Sequence, residues 1–352
     1  MTLPIAVLEG DGIGAEVVPV AVAAAERALA AQGVRAQWTP LPYGAAAIDS
    51  HGSPLPPETL TELAGFDVMV VGPHDSVSYP LPHRDAPPPG AVLRKHFGLY
   101  ANLRPAQAIA GLPATAPDID LLIVRENSEG LYADRNMAVG SGEFMPTPDV
   151  ALAVGLVTRA ATERIAEQAF AAARTRRGHV TVVHKANVLR LTTGLFRDVC
   201  FEVAQRYPDV RVDQQHVDAM AALLVRRPAD FDVLVTENLF GDILSDLAAE
   251  LSGSLGLASS INCSDTRVMA QAVHGAAPDI AGRGLADPIA MVGSVASALD
   301  FHAARHRDRR VAAAAEALRA AIAATVAAGI RTPDLGGSSS TAEFGDHLVA
   351  VL

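Results

Sequence analysis

The stretch Ala6–Val18, AVLEGDGIGAEVV, carries an apolar run into Gly10, Gly12 and Gly14 and out again into a helical pattern. Strand, glycine turn and helix bind a dinucleotide when the spacing is G-x-G-x-x-G and an acidic residue follows about twenty positions on for the ribose. Here the spacing is G-x-G-x-G, and the next strand candidate, RAQWTPLPYG from Arg35, ends without Asp or Glu. The glycines still permit a tight turn, and the helix behind them offers free backbone N–H groups to a ligand. By itself the run leaves open whether this turn is the main cofactor cradle.

Outward from it the same alternation repeats. IAVLE, FDVMVVG, IDLLIV, HVTVVH, VRVDQQHV and FDVLVT stand between long Ala-rich helical patterns, which predicts an α/β protein with largely parallel sheet. The 352 residues, half of them apolar, suffice for two domains or one large α/β unit. A net charge of −11 without a basic run repels a phosphate backbone, so nucleic acid is not an expected partner. No basic segment precedes the first apolar residues, and the Ala-rich run VAAAAEALRAAIAATVAAGI is broken by Glu316 and Arg319. Neither a signal peptide nor a membrane span is expected, and the expected compartment is the cytoplasm. Cys200 and Cys263 lack metal-type spacing and read as thiols without a role.

Of the 28 basic residues only Lys95 and Lys185 are lysine. Arginine serves wherever a generic positive charge is needed, so a retained lysine points to what lysine alone offers, a pKa that burial can bring toward neutrality. Lys185, in VVHKANVL, directly follows an apolar strand, and Tyr132, in EGLY, offers a phenolic acid. Close together, the two would form a proton relay.

NLFGDILSDLAAEL places Asp242 and Asp246 one turn apart on one helix face. Such a pair suits a hard divalent cation, and it equally suits the dipole of a helix's first turn. Asp218, in QQHVDAMAALL, lies where a strand becomes a helix, the place of site residues in α/β proteins and also of N-caps. Arg94, Arg104 and Arg125 stand in non-helical or element-terminal contexts. Their planar forks would bind a substrate with several carboxylates, or simply pair with acids at the surface. HGAAPDIAGRGLADP, from His274 to Pro288, is an irregular run in which Asp279 is set to take ribose hydroxyls, unless it is a plain surface loop. GPHDSVSYPLPHRDAPPPG, Gly72 to Gly90, is a long non-periodic loop of the functional or disordered kind.

In this order, GDGIGAEVV, LRKHFGLYANLRP, VRENSEGLY, HKANVL, NLFGDILSDLAAELSGSLGLA, HGAAPDIAG and RTPDLGG resemble the β-decarboxylating dehydrogenases of the isocitrate, homoisocitrate, isopropylmalate and tartrate/D-malate group. The resemblance spans nearly the whole chain. It implies an isopropylmalate-dehydrogenase-like fold, α/β with two domains and mostly parallel sheet, not a Rossmann fold. Residues 1–99 plus 251–352 would form a discontinuous cofactor-binding domain, and 100–250 a dimerisation and metal/substrate domain. Arg94, Arg104 and Arg125 would bind the substrate carboxylates. Asp218, Asp242 and Asp246 would hold Mg²⁺ or Mn²⁺, with Tyr132 and Lys185 as the catalytic acid and base. NAD would be held by Ile13, Asn187, His274, Gly275, Ala276, Asp279, Ile280 and Asp287. In the family the lysine and one metal aspartate come from the other subunit, so a homodimer with shared sites is implied, with the segment after Tyr132 forming part of a dimer arm.

The resemblance has departures. Substrate choice in the family lies just before the position of Arg94, where this chain has Gly90 and Ala91 in PPPGAVLR. These match neither bulky aliphatics, nor Ser and Asn, nor an added Arg. RENSEG leans toward the isocitrate, homoisocitrate and tartrate branch. A plain malate or tartrate, or a larger C3 substituent met by His74, Tyr79, His83 or Arg84, both fit; 3-isopropylmalate and a non-catalytic regulatory paralogue are the alternatives. Gln271 stands where relatives carry Glu, and Asp287 where they carry Asn, exchanging a donor–acceptor amide for an acceptor-only carboxylate.

Overall fold

A computed structural model describes residues 2–132 and 142–352. The first half of the chain runs β1 (Thr2–Leu8), α1 (Gly14–Ala31), β2 (Arg35–Pro40), α2 (Ala45–His51), α3 (Pro57–Leu63), β3 (Val68–Val71), α4 (Pro89–His96), β4 (Ala101–Gln107), β5 (Asp120–Glu126), β6 (Glu143–Thr147), β7 (Val150–Ala153) and α5 (Arg159–Arg174). The second half runs β8 (His179–His184), α6 (Thr192–Ala204), β9 (Arg211–His216), α7 (Val217–Arg226), β10 (Val233–Thr236), α8 (Asn238–Ser252), β11 (Ile261–Cys263), β12 (Val268–Ala270), α9 (Ile289–His306), α10 (Arg309–Ala327) and α11 (Thr341–Ala350). Two compact units result. One comprises Met1–Phe97, Ile109–Pro113 and Ser254–Leu352, the other Gly98–Ala108 and Ala114–Gly253.

In the first unit the strands lie in the order β2-β1-β3-β12-β11, parallel except for the β11–β12 pair. This is not the order of a dinucleotide-binding Rossmann sheet. β3, VMVV, is buried at every position, as a central parallel strand must be when helices cover both faces. Beside it runs α9, with apolar residues on most of its circumference and eleven buried side chains. A helix apolar nearly all round is a core helix, and α9 packs on β3, β12, α1 and α10.

In the second unit the order is β4-β5-β10-β8-β9, with β4 the antiparallel member. β8 and β10 are wholly buried. Ile123, Leu234, Met220 and Leu244 share one core under α7 and α8. β6 and β7 form a separate antiparallel pair with every side chain exposed. The rest of the expected arm, residues 133–141, lies outside the described residues.

The six strands expected from apolar runs are β1, β3, β5, β8, β9 and β10. β2 is the strand candidate read from Arg35, and β4, β6, β7, β11 and β12 are additional, being short or interrupted by polar residues. No helix among the described residues is long and apolar enough to cross a membrane.

Leu244 is fully buried beneath the carboxylates of α8. Leu244→Ala is expected to cost about 2–5 kcal/mol of stability, read from the midpoint of urea unfolding with an unchanged slope.

Candidate active site

Glu237 directly follows β10, and its carboxylate caps α8 by accepting from the backbone N–H of Leu239 and Phe240. That cap fixes the first turns of the helix and the direction of Asn238, Asp242 and Asp246. Asn238 is fully buried and its side-chain oxygen accepts from both Nε (3.0 Å) and Nη2 (2.7 Å) of Arg125, leaving Nη1 for Asp242. The helix can take this position only because residue 241 is glycine: a Cβ there would lie 2.6 Å from Arg125 Cγ.

Arg104 reaches the same carboxylates. Its Nη1 donates to Asp246 Oδ1 at 3.0 Å and to Ser245 Oγ at 2.6 Å, and its Nη2 lies 3.4 Å from Asp242 Oδ1. Asn102 accepts from Nε at 2.7 Å, which turns the fork toward α8. The hydroxyl of Tyr132 donates to Asp242 Oδ2 at 2.5 Å. Arg104, expected in a non-helical or element-terminal context, sits within β4, where antiparallel pairing with β5 sets Asn102 opposite Arg125. Arg125 is the penultimate residue of β5, and Arg94 lies in the last turn of α4.

Charge is distributed unequally over this cluster. Partial burial pushes the Asp242 carboxyl up, but Arg125, Tyr132 and Arg104 outweigh it and hold the group below the usual range. Asp246 is moved upward, first by burial, with Asp242 adding repulsion against the pull of Arg104. Burial and the neighbouring Arg125 lower Arg104. Two adjacent carboxylates offering only oxygen donors suit a hard divalent cation.

Lys185 follows β8 as expected, and its Nζ lies 2.5 Å from Asp218 Oδ1 in the first turn of α7. The ammonium holds the Asp218 carboxyl below its usual range. Within one chain Tyr132 thus joins Asp242, while Lys185 joins Asp218. Among the described residues Asp218 does not gather with Asp242 and Asp246 as one three-ligand group. Asn187 is exposed in the turn after Lys185.

In the first unit the opening glycine turn meets the HGAAPDIAG loop. Ile13 N–H donates to Ala276 C=O at 2.9 Å, and Gly282 N–H donates to Glu16 at 2.7 Å. Gly12 has φ +56°, and a Cβ on it would lie 2.0 Å from the Ala276 oxygen, so the two loops close only around glycine. Asp11 is the organiser that spacing did not single out. Its carboxylate takes the N–H of Ala45 and Asp75 and the hydroxyl of Tyr79, framing a cavity of about 290 Å³ beside Gly12, Pro278 and Ala281. Asp279 is exposed and Ile280 half-buried, while Nε2 of His274 is buried without a hydrogen-bond partner. Burial lowers the pKa of His274. Its Nδ1 lies 3.0 Å from Gly275 C=O.

Gly90 faces His74, Arg94 and Gln271, whose nearest atoms would lie 3.0, 3.5 and 3.5 Å from a Cβ at that position. Tyr79, also considered for contact with a substrate, is instead buried against Asp11. Asp287 is buried, one oxygen accepts from Ile289 N–H, and the other has no hydrogen-bond partner. Burial raises its pKa well above the usual value.

An α/β chain with paired carboxylates at a strand-to-helix junction, two arginine forks and a tyrosine on them defines a class of enzyme acting on small acids. The isocitrate/isopropylmalate dehydrogenase family model matches residues 4–348. The chain is 39% identical to 3-isopropylmalate dehydrogenase of Archaeoglobus fulgidus, over 99% of each chain. It is 41% identical to isocitrate/homoisocitrate dehydrogenase of Thermus thermophilus, over 100% of this chain and 99% of that one. The solved isocitrate dehydrogenase from Methylococcus capsulatus superposes with a TM-score of 0.84 at 38% identity, over 99% of each chain. The chain belongs to the isocitrate/isopropylmalate dehydrogenase family, enzymes that oxidise hydroxy acids.

Burial raises the Asp287 pKa in the folded chain above that of the unfolded chain. Stability is therefore lost as pH rises toward the raised native value. Asp287→Asn is expected to raise Tm at pH 8, with a gain that shrinks toward pH 4, measured by thermal unfolding across that range.

Proposed function

We propose that the protein catalyses NAD-dependent, Mg²⁺- or Mn²⁺-dependent oxidative decarboxylation of a 3-substituted D-malate. The observation that carries this reading is the convergence of Arg104, Arg125 and Tyr132 on Asp242 and Asp246. Asp242 and Asp246, with Asp218, would hold the cation, and the Ile13 turn with the His274–Ile280 loop, Asp287 and Asn187 would hold NAD. The fit rests on the oxygen-only carboxylate pair and on the buried, unpartnered atoms of His274 and Asp287. When bound, the cation supplies a Lewis acid at the C2 oxygen and NAD accepts the hydride.

Arg94, Arg104 and Arg125 bind and orient the substrate carboxylates through bidentate forks. Lys185 takes the proton of the C2 hydroxyl. Once CO₂ has left, Tyr132 returns a proton to the carbon that carried it. Asp242 holds the phenol in place before the substrate enters. Lys185 and Asp218 would complete the site of a second copy, in a homodimer. Exposed apolar side chains support a second copy: after Lys185, Leu191 is 87% exposed and Val188 65%, and elsewhere Phe144, Met145 and Leu152 stand out from the β6–β7 pair.

The surroundings of Gly90 favour a polar C3 substituent. His74 and the Gln271 side-chain amide border it together with Arg94, polar groups that a polar C3 substituent can contact by hydrogen bonding and an isopropyl group cannot. Substrates of the isocitrate, homoisocitrate or tartrate type fit this wall better than 3-isopropylmalate.

NADH formation with Mn²⁺, measured against isocitrate, homoisocitrate, tartrate, D-malate and 3-isopropylmalate, is expected to show one preferred polar substrate and to stop with a chelator. No metal-dependent turnover on any of the five would overturn the reading. Tyr132→Phe is expected to lower kcat by about 10²–10⁴-fold with little change in KM, as loss of a general acid does.

A further inference from the structure

Away from the strand ends that carry the glycine turn, three potential metal ligands meet where no function has been assigned. Asp67 immediately precedes β3, and its backbone is fixed by a 2.8 Å hydrogen bond from Val268 N–H to its carbonyl. His302 and His306 stand four residues apart near the end of α9, on one face of the helix. Their rings stack at 4.2 Å with an interplanar angle of 30°. One nitrogen of each and one oxygen of Asp67 all lie within 4.8 Å of one another.

Hydrogen bonding does not explain the cluster. His306 Nε2 is 3.9 Å from Asp67 Oδ2, too far for a hydrogen bond. His302 is only 6% exposed, and its Nε2 is buried with no hydrogen-bond partner. A buried polar atom in that state is costly, and a metal ion is one partner a neutral imidazole takes. Burial holds the His302 pKa below the usual value, with His306 and Arg305 acting in the same direction and Asp67 and Asp308 opposing it.

We propose that Asp67, His302 and His306 form a second cation site, selective for a divalent transition metal such as Zn²⁺. Two imidazoles and one carboxylate suit Zn²⁺, Ni²⁺ or Cu²⁺, whereas Mg²⁺ prefers oxygen ligands alone. Ligands about 2.1 Å from a tetrahedral ion sit about 3.4 Å apart, so binding draws the three side chains together by roughly an ångström. The side chains of Asp67 and His306 are 53% and 40% exposed, which gives the ion a route in. Bound there, it ties the entry to the central strand β3 to the last turn of the core helix α9. This site is independent of the dehydrogenase reaction.

The test is calorimetric titration of the chelator-stripped full chain with Zn²⁺, in excess Mg²⁺ to occupy the carboxylates of α8. Wild type is expected to bind one Zn²⁺ per chain, and Asp67→Asn and His306→Gln each to weaken that binding by at least about tenfold. Both side chains are at the surface, so both variants should keep the fold, checked by their thermal unfolding. Absence of Zn²⁺ binding in excess Mg²⁺, or superimposable titrations of wild type and both variants, would overturn the proposal.

Discussion

The arrangement of the second unit turns on one carboxylate. Asp242 accepts from Arg125 and Tyr132 and lies within ion-pair reach of Arg104, and each of those donors is aimed by another residue. Asn238 turns Arg125, Asn102 turns Arg104, and Glu237 sets the helix from which Asp242 projects. An ion held by several fixed donors in a half-buried place is stabilised far more than an exposed pair, because the neighbours rather than water supply its solvation. The whole device depends on the fully buried β10 ending where α8 begins.

The first unit is organised by a similar economy of charge. Asp11 ties the glycine turn to the stretches that begin at Ala45 and Asp75, and Tyr79 closes over it. The opening turn thereby becomes one wall of a shared cradle with the Ala276 loop instead of a self-sufficient phosphate grip. That explains why its glycines depart from the dinucleotide spacing. They are there to let two backbones approach, and Ala276 is the backbone that approaches.

Acidic and basic groups are used differently in the two places. Around Asp242 the two arginines and Tyr132 outweigh burial and hold the carboxyl below its usual range. Around Asp287 burial outweighs the one backbone N–H that the carboxylate accepts from, and the pKa rises. Two aspartates of one chain thus meet desolvation with opposite outcomes.

The sequence by itself determined the α/β class, the six principal strands, the positions of Lys185 after a strand and Asp218 where a strand becomes a helix, and the placement of Asp242 and Asp246 one turn apart on a helix. Apolar periodicity and helix spacing are local properties that the chain carries wherever it goes. Its ordered motifs also identified the family. Only the tertiary structure decided that Arg104 and Arg125 share Asp242 and that Asn102 and Asn238 aim them. These are contacts across β4, β5 and α8, more than a hundred residues apart for the arginines and α8, and no local pattern encodes such a register. The same holds for Asp11, an ordinary turn residue until Tyr79 is buried on it, and for Asp287, whose raised pKa comes from burial that composition does not reveal. Asp67 and the histidines of α9 are separated by more than two hundred positions, and only the packing of α9 on β3 brings them together.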